Sequence, residues 1–220
     1  MLRNGLFFVA DAAARRAASE TARRWREALV LGSLREDVLW IPPLGLTEYP
    51  SFRHFGGRGL PGGYLPLVWP GPRRTSDVLY RRALRHAREG ELAAAFVTLG
   101  RIVHVVTDAC IPSHAHRAAH ESDPFEWHVE GNLERLRALP VPEVALAARP
   151  SELVAALVRR AARFRPDRSN TPIGRMLERA RLVRGVEAKE ARAQADVLIP
   201  LAVGHATALL DMFARDADIT

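Results

Sequence analysis

Arg101–Asn132 reads RIVHVVTDACIPSHAHRAAHESDPFEWHVEGN and holds five of the chain's eight histidines: His104, His114, His116, His120 and His128. Asp108 and Glu126 lie among them. His104 and Asp108 are four apart in an apolar run (Ile102, Val103, Val105, Val106), so on a helix they stack on one face. A helix apolar all round belongs in a core, and polar side chains in a core need partners. A metal ion is one partner that serves both groups. A backbone carbonyl bonded to His104 is the plainer alternative.

The stretch then changes character. Pro112 ends the helix, because the residue before a proline is pushed out of the α region. His114 follows at the broken end, and His120 comes later in a polar connector. Asp123-Pro124 opens a new helix with Asp as N-cap and Pro as its first residue. Glu126 falls in its first turn, at the capping-box distance from Asp123, so it reads either as a cap or as a ligand. Imidazole and carboxylate are groups that zinc takes, usually four at a time.

Outward from this stretch the pattern is helical. Ala10–Leu34 is rich in alanine, arginine, glutamate and leucine, with a break expected at Ser19-Glu20 and an apolar face of Ala22, Trp25 and Leu29. Thr75–Arg88 is expected to start on Thr75 or Ser76 and to stop at Gly90. Leu92–Ala109 is the apolar helix, and Asp123–Leu139 the next. Ser151–Phe164 is amphipathic, with Ser151 as N-cap. Thr171-Pro172 starts another helix to about Arg184, and the last runs from Glu187 to Ala214, kinked at Pro200. Leu39–Pro72 differs: it holds seven of the 15 prolines and seven of the 15 glycines. Helix cannot run through it. Its aromatics (Trp40, Tyr49, Phe52, Phe55, Tyr64, Trp69) argue for packing, and His54 sits in the patch Ser51-Phe52-Arg53-His54-Phe55. No period-two alternation exceeds four residues, so the class is all-α, a single multi-helix domain over 1–220.

The formal net charge is +7, with lysine only at Lys189, so the positive charge is almost all arginine. Spread along the helices, it reads as compositional bias, with a basic face for nucleic acid or an anionic membrane surface as the alternative. The single cysteine, Cys110, excludes an internal disulfide. No apolar run is expected to reach the 18 or so residues of a membrane span. Near the N-terminus, Arg3 and the short apolar run Leu6–Ala10 have the outline of an export signal. Asp11 interrupts that run, and the stretch reads as the start of a helix.

His104-x-x-x-Asp108, Pro112-Ser113-His114, then His120 and Glu126 resemble the bacterial zinc-dependent phospholipases C, which form one superfamily with the fungal single-strand-specific nucleases. The resemblance extends upstream, where Asp37 at a helix end and His54 in a His-Phe patch match two further positions. It spans roughly Ser33 to Asn132, and seven positions in the right order make it fairly specific. The resemblance implies a mostly helical fold with two or three zinc ions in a cleft. Asp37, His54, His104 and Asp108 would hold the first zinc; His114, His120 and Glu126 would hold another; Asp108 would bridge to a third. Asp37 is the candidate proton acceptor. The implied activity is hydrolysis of a phosphodiester by metal-activated water, with phospholipid head groups as substrate and peripheral contact with an anionic membrane.

The family completes its third site with the amine and carbonyl of the mature N-terminal residue and a histidine in the first helix. Here no histidine precedes His54. The N-terminus as written differs from the mature one, the site is degenerate, or another group such as Asp11 substitutes. The spacing from His120 to Glu126 also exceeds the family's commonest one. A single-strand-specific nuclease and a metal-binding but inactive relative therefore remain as alternatives. His116 and His128, two residues from His114 and Glu126, read as outside the ligand set, and His86 and His205 as structural, with the cleft as the alternative for His205.

Overall fold

The computed structural model describes residues 1–36, 39–41, 46–48, 54, 56, 70–118, 123–169 and 171–219. Among them eleven helices follow in order: α1 (Arg3–Arg16), α2 (Glu20–Arg24), α3 (Arg26–Arg35), α4 (Pro72–Arg88), α5 (Leu92–Ala109), α6 (Pro112–Ala115), α7 (Pro124–Gly131), α8 (Leu133–Arg137), α9 (Pro150–Ala161), α10 (Pro172–Arg179) and α11 (Ala188–Asp216). Between α3 and α4 the strands β1 (Leu39–Ile41) and β2 (Leu46–Glu48) pair antiparallel, Trp40 opposite Thr47. The fold class is all-α. This three-residue hairpin, inside the segment expected to be irregular, is its one departure among the described residues.

The centre is α5. Every residue from Ile102 to Ala109 is buried, because this helix has no polar face to turn to solvent. α1, α3, α4, α9 and α11 surround it, and their apolar faces join one core containing Leu29, Phe96, Leu99, Leu157, Leu198 and Phe213. α3 approaches it most closely. A Cβ added to Gly32 would lie 1.9 Å from the Val97 carbonyl oxygen, and one added to Gly100 would lie 2.0 Å from that of Leu29. Only two glycines let these backbones touch. Gly32 thus packs inside α3.

Several boundaries follow the sequence and others correct it. Ser19 caps α2 by accepting from Ala22 N at 3.2 Å, and Thr171 caps α10 by accepting from Gly174 N at 2.9 Å. α4 begins at Pro72 with Gly71 as N-cap, ahead of Thr75 and Ser76; the Ser76 hydroxyl instead turns back to the Pro72 carbonyl at 2.7 Å. α9 starts at Pro150, and Ser151 is not its N-cap: its amide is satisfied from another helix, by Asp77 Oδ1 at 3.1 Å. The helix expected over Asp123–Leu139 divides at Asn132, whose φ of −133° leaves the α region. The largest correction concerns membrane spans. α5 and α11 are long and apolar enough to cross a membrane by length and composition, although 72% of each apolar window is buried inside the protein.

Candidate metal centre

The ends of several elements meet around one carboxylate. α5 carries His104 and Asp108 one turn apart, with Asp108 in the last turn. Beyond it, Ile111 is extended (ψ 124°), as a residue before proline must be. That turn starts α6 with Pro112 at its first position and buries His114. The end of α3 supplies the Ser33 carbonyl and Glu36. Gly56 N donates to the His114 carbonyl at 3.1 Å, which ties the short stretch bearing His54 to α6. Asp123 caps α7 by accepting from Phe125 N at 2.9 Å and also receives the Ser113 hydroxyl, fixing Glu126 in the first turn.

Asp108 is 1% exposed. Its Oδ2 faces His54 Nδ1 at 2.9 Å, His104 Nε2 at 3.1 Å and His114 Nδ1 at 3.7 Å. Its Oδ1 accepts from the Met1 amino group at 2.9 Å, and that amino group reaches Glu126 Oε1 at 2.7 Å. His54 Nε2 lies 3.7 Å from Glu36 Oε1, and Glu36 also pairs with Arg101 Nε. The imidazoles of His54 and His104 lie 4.8 Å apart, centre to centre.

His104 Nδ1 lies 2.7 Å from the Ser33 carbonyl. A carbonyl only accepts, so Nδ1 carries the proton. In the neutral ring Nε2 is then a lone pair, and it points at a carboxylate oxygen. Acceptor facing acceptor is repulsive unless a second proton or a metal cation lies between. A carbonyl holding Nδ1–H so that Nε2 is presented is also how proteins orient metal-ligating histidines. Ligand atoms of His54, His104 and Asp108 lie within 4.8 Å of one another, all buried, and this group can hold a metal ion. Imidazole nitrogens with carboxylate oxygens are a donor set that fits zinc.

The electrostatics agree. Burial would raise the Asp108 pKa, but the Met1 ammonium, His104 and His114 hold it well below the usual carboxylate range. Burial likewise opposes ionised Glu36, and bonds from His54 and Arg101 outweigh it, lowering its pKa. Burial lowers the pKa of His54, yet Asp108 and Glu36 raise it overall. The Met1 amine, despite full burial, is pushed up to about 12 by Asp108 and Glu126.

Of the seven residues singled out in the sequence, the structure brings five together: His54, His104, Asp108, His114 and Glu126. Asp37 and His120 lie outside the described residues. Two members of the cluster were not read from the sequence. Glu36 is buried beside His54, and a signal for it existed: Arg101, three residues before His104 on the same helix face, requires an acid. The Met1 amine was not read from the residues themselves, since nothing local in the sequence brings it to Asp108 and Glu126; only the resemblance pointed to a terminal amine there. Asp11 is placed elsewhere, its oxygens 2.9 Å from Arg15 Nε and 3.0 Å from Arg26 Nη1. His116 bonds the Phe164 carbonyl at 3.0 Å, and His205 bonds that of Leu201 at 2.8 Å. His86, read from the sequence as structural, forms with Glu89 and Glu91 a second, more exposed group of potential ligands at the end of α4. Cys110 is a buried free thiol.

The sequence matches no family model and no curated protein. Among solved structures the chain is similar to a crystal structure of Clostridium perfringens alpha-toxin from an avian strain, with a TM-score of 0.58 at 13% sequence identity. The match covers 96% of this chain and 63% of the toxin chain, so the chain spans less than two thirds of that protein's length. At such identity the likeness carries the fold alone.

Proposed function

We propose that the protein is a zinc-dependent hydrolase of phosphodiester bonds, with phospholipid head groups as its substrate class, housed in one domain. The observation that carries this is the Asp108 constellation: a buried carboxylate faced by three imidazoles, one held by a carbonyl in the tautomer that offers its Nε2 lone pair. His54, His104 and Asp108 would hold one ion, with Asp37 as a fourth ligand. His114 and Glu126 would hold another with His120, and Asp108 reaches toward both sets. Zinc bound there would supply Lewis acidity and a water acidic enough to be deprotonated near neutral pH.

The chain's own residues prepare that chemistry. Ser33 fixes the His104 tautomer. Asp108 and Glu36 bracket His54, and Arg101 holds Glu36, so the ring is oriented before any ion arrives. The lowered pKa of Asp108 keeps it ionised, and therefore able to ligate, across the neutral range. Met1 joins Asp108 to Glu126 through its amino group, the position at which the resembling family uses a terminal amine. Asp37, adjacent to Glu36 in the chain, takes the role of proton acceptor.

The first experiment is zinc per chain by elemental mass spectrometry after purification without chelators. Release of phosphocholine from phosphatidylcholine, hydrolysis of a soluble phosphodiester and degradation of single-stranded DNA are then assayed in parallel. Two or more zincs with head-group release support the reading. DNA degradation without head-group release replaces it with a nuclease. A chain that takes up no metal on reconstitution refutes both.

A further inference from the structure

Residues 166–187 leave the body of the protein between α9 and α11 and carry α10 outward. The base of this excursion is clamped. Asp167, 2% exposed, accepts from Ser169 N and Oγ, each at 2.7 Å, and from Val186 N at 2.7 Å. Arg165 reaches the carbonyls of Arg184 and Gly185 and the carboxylate of Glu190. Beyond this base, α10 has no extended packing on another helix among the described residues.

The surface of the excursion is the reverse of what water favours. Ile173, Met176 and Leu182 are 68%, 63% and 72% exposed, the three most exposed large hydrophobics among the described residues. Ile173 and Met176 are three apart and share one face. Leu182 follows in the turn that ends α10: Leu182 N donates to the Leu177 carbonyl and Arg181 N to that of Glu178, both at 2.8 Å. This turn needs a left-handed residue, normally glycine. Here it is Arg181, at φ 60°, so a basic side chain stands where glycine would be unstrained. Residues 168–187 hold five arginines, Arg168, Arg175, Arg179, Arg181 and Arg184, against two acids, Glu178 and Glu187, and Glu187 pairs with Arg184 at 2.6 Å. Just ahead of the base, the Phe164 carbonyl bonds His116, two residues along the chain from His114.

We propose that residues 171–184 dock the protein on an anionic lipid bilayer. Ile173, Met176 and Leu182 enter the boundary between head groups and acyl chains, and the surrounding arginines pair with lipid phosphates. A nucleic acid would engage the arginines and leave the three apolar side chains in water. One short helix falls below the roughly 800 Å² per partner of a standard protein interface. That the dock holds the metal centre against its substrate rests on the phosphodiesterase reading; the docking itself does not.

Sedimentation with phosphatidylcholine vesicles, with and without phosphatidylglycerol, tests this. The protein binds the anionic vesicles, and added salt weakens binding. Ile173→Asp, Met176→Asp and Leu182→Asp each weaken it by about tenfold or more, because each keeps one apolar side chain out of the bilayer. Circular dichroism confirms that these exposed substitutions leave the fold intact. Vesicle binding unchanged in all three variants overturns the proposal, as does wild-type protein that binds single-stranded DNA but no vesicle. Turnover of a soluble phosphodiester without vesicle binding removes the dock and leaves the enzyme. Vesicle binding without turnover of any phosphodiester does the opposite.

Discussion

Gly100→Ala separates the close helix crossing from the chemistry it supports. The added Cβ would lie 2.0 Å from the Leu29 carbonyl oxygen, 2.8 Å from Ser33 N and 2.9 Å from the Gly32 Cα, whereas ordinary contact starts at 3.4 Å. All three obstacles are backbone, so α3 and α5 must part by about 1 Å. The His104 Nδ1 to Ser33 carbonyl bond, 2.7 Å now, spans that crossing and would stretch beyond the roughly 3.2 Å limit of a good N–H···O bond. Overpacking costs about 1–3 kcal/mol, and the weakened buried bond about 1 kcal/mol more. The better helix propensity of alanine returns about 1 kcal/mol. The net loss, about 1–3 kcal/mol, lowers Tm by roughly 3–10 °C for a chain of this size. With His104 no longer held, zinc affinity falls by about 10–100-fold. Gly131→Ala is the control, since a Cβ there meets nothing within 4 Å, and its stability should hold or rise. Thermal unfolding of the metal-free protein and a zinc titration read both effects. A Gly100→Ala protein that melts with wild type and binds zinc equally well would refute the crossing and its link to His104.

His104→Ala is expected to lose the zinc that His54, His104 and Asp108 would hold on the proposed reading, seen as fewer zincs per chain; unchanged metal content would remove His104 from the ligand set. Zinc uptake should strengthen as pH rises through and above 6.5, because the raised pKa of His54 and the protonated Met1 amine make protons competitors of the metal; calorimetry in buffers of different ionisation heat would show proton release, and none would contradict the assignment. His205 is buried, and that burial lowers its pKa below the ordinary 6.5. The unfolded chain therefore takes up a proton that the fold refuses. The stability is present above pH 6.5 and lost as pH falls below it, at up to about 1.4 kcal/mol per pH unit. His205→Gln should flatten that part of the stability curve measured by denaturant unfolding, and an unchanged curve would exclude His205 as its source.

How much could be read beforehand follows the range of each interaction. α5 was legible to the residue, because an apolar run between Glu91 and Pro112 has one reading. Asp123 and Thr171 were found as caps because a cap bonds an amide two or three residues away. Thr75, Ser76 and Ser151 failed for the same reason inverted: Pro72 and Pro150 preset the first turn of their helices, and Asp77 satisfies Ser151 from 74 residues upstream. The spacing of His104, Asp108 and His114 marked the site, because α5 and α6 are continuous in sequence there. Glu36 and the Met1 amine reach the site through tertiary packing, of which the sequence offered only the indirect signal of Arg101 on the His104 face. Gly32 and Gly100 carried no signal of their own in the sequence, and only the crossing of α3 over α5 shows that they are contacts.

The charge around Asp108 also depends on the helices that meet there. α3 and α5 both end at the cluster, and the ends of helices that carry unsatisfied carbonyls favour cations. Glu126 sits instead in the first turn of α7, where an anion is favoured. Among the described residues, three carboxylates of the cluster, Glu36, Asp108 and Glu126, thus face two cations, the Met1 ammonium and Arg101. With all imidazoles neutral, these described groups leave one negative charge in excess, close to two helix ends that are themselves negative. Burying unbalanced charge is among the costliest things a fold can do. Only two remedies suit the residues present: protonation of an imidazole, which the raised pKa of His54 makes available as pH falls, or a cation ligated by those same nitrogens. Both use one set of atoms, so they exclude each other. As pH rises the proton is withdrawn, and the cluster's need for positive charge passes to the metal.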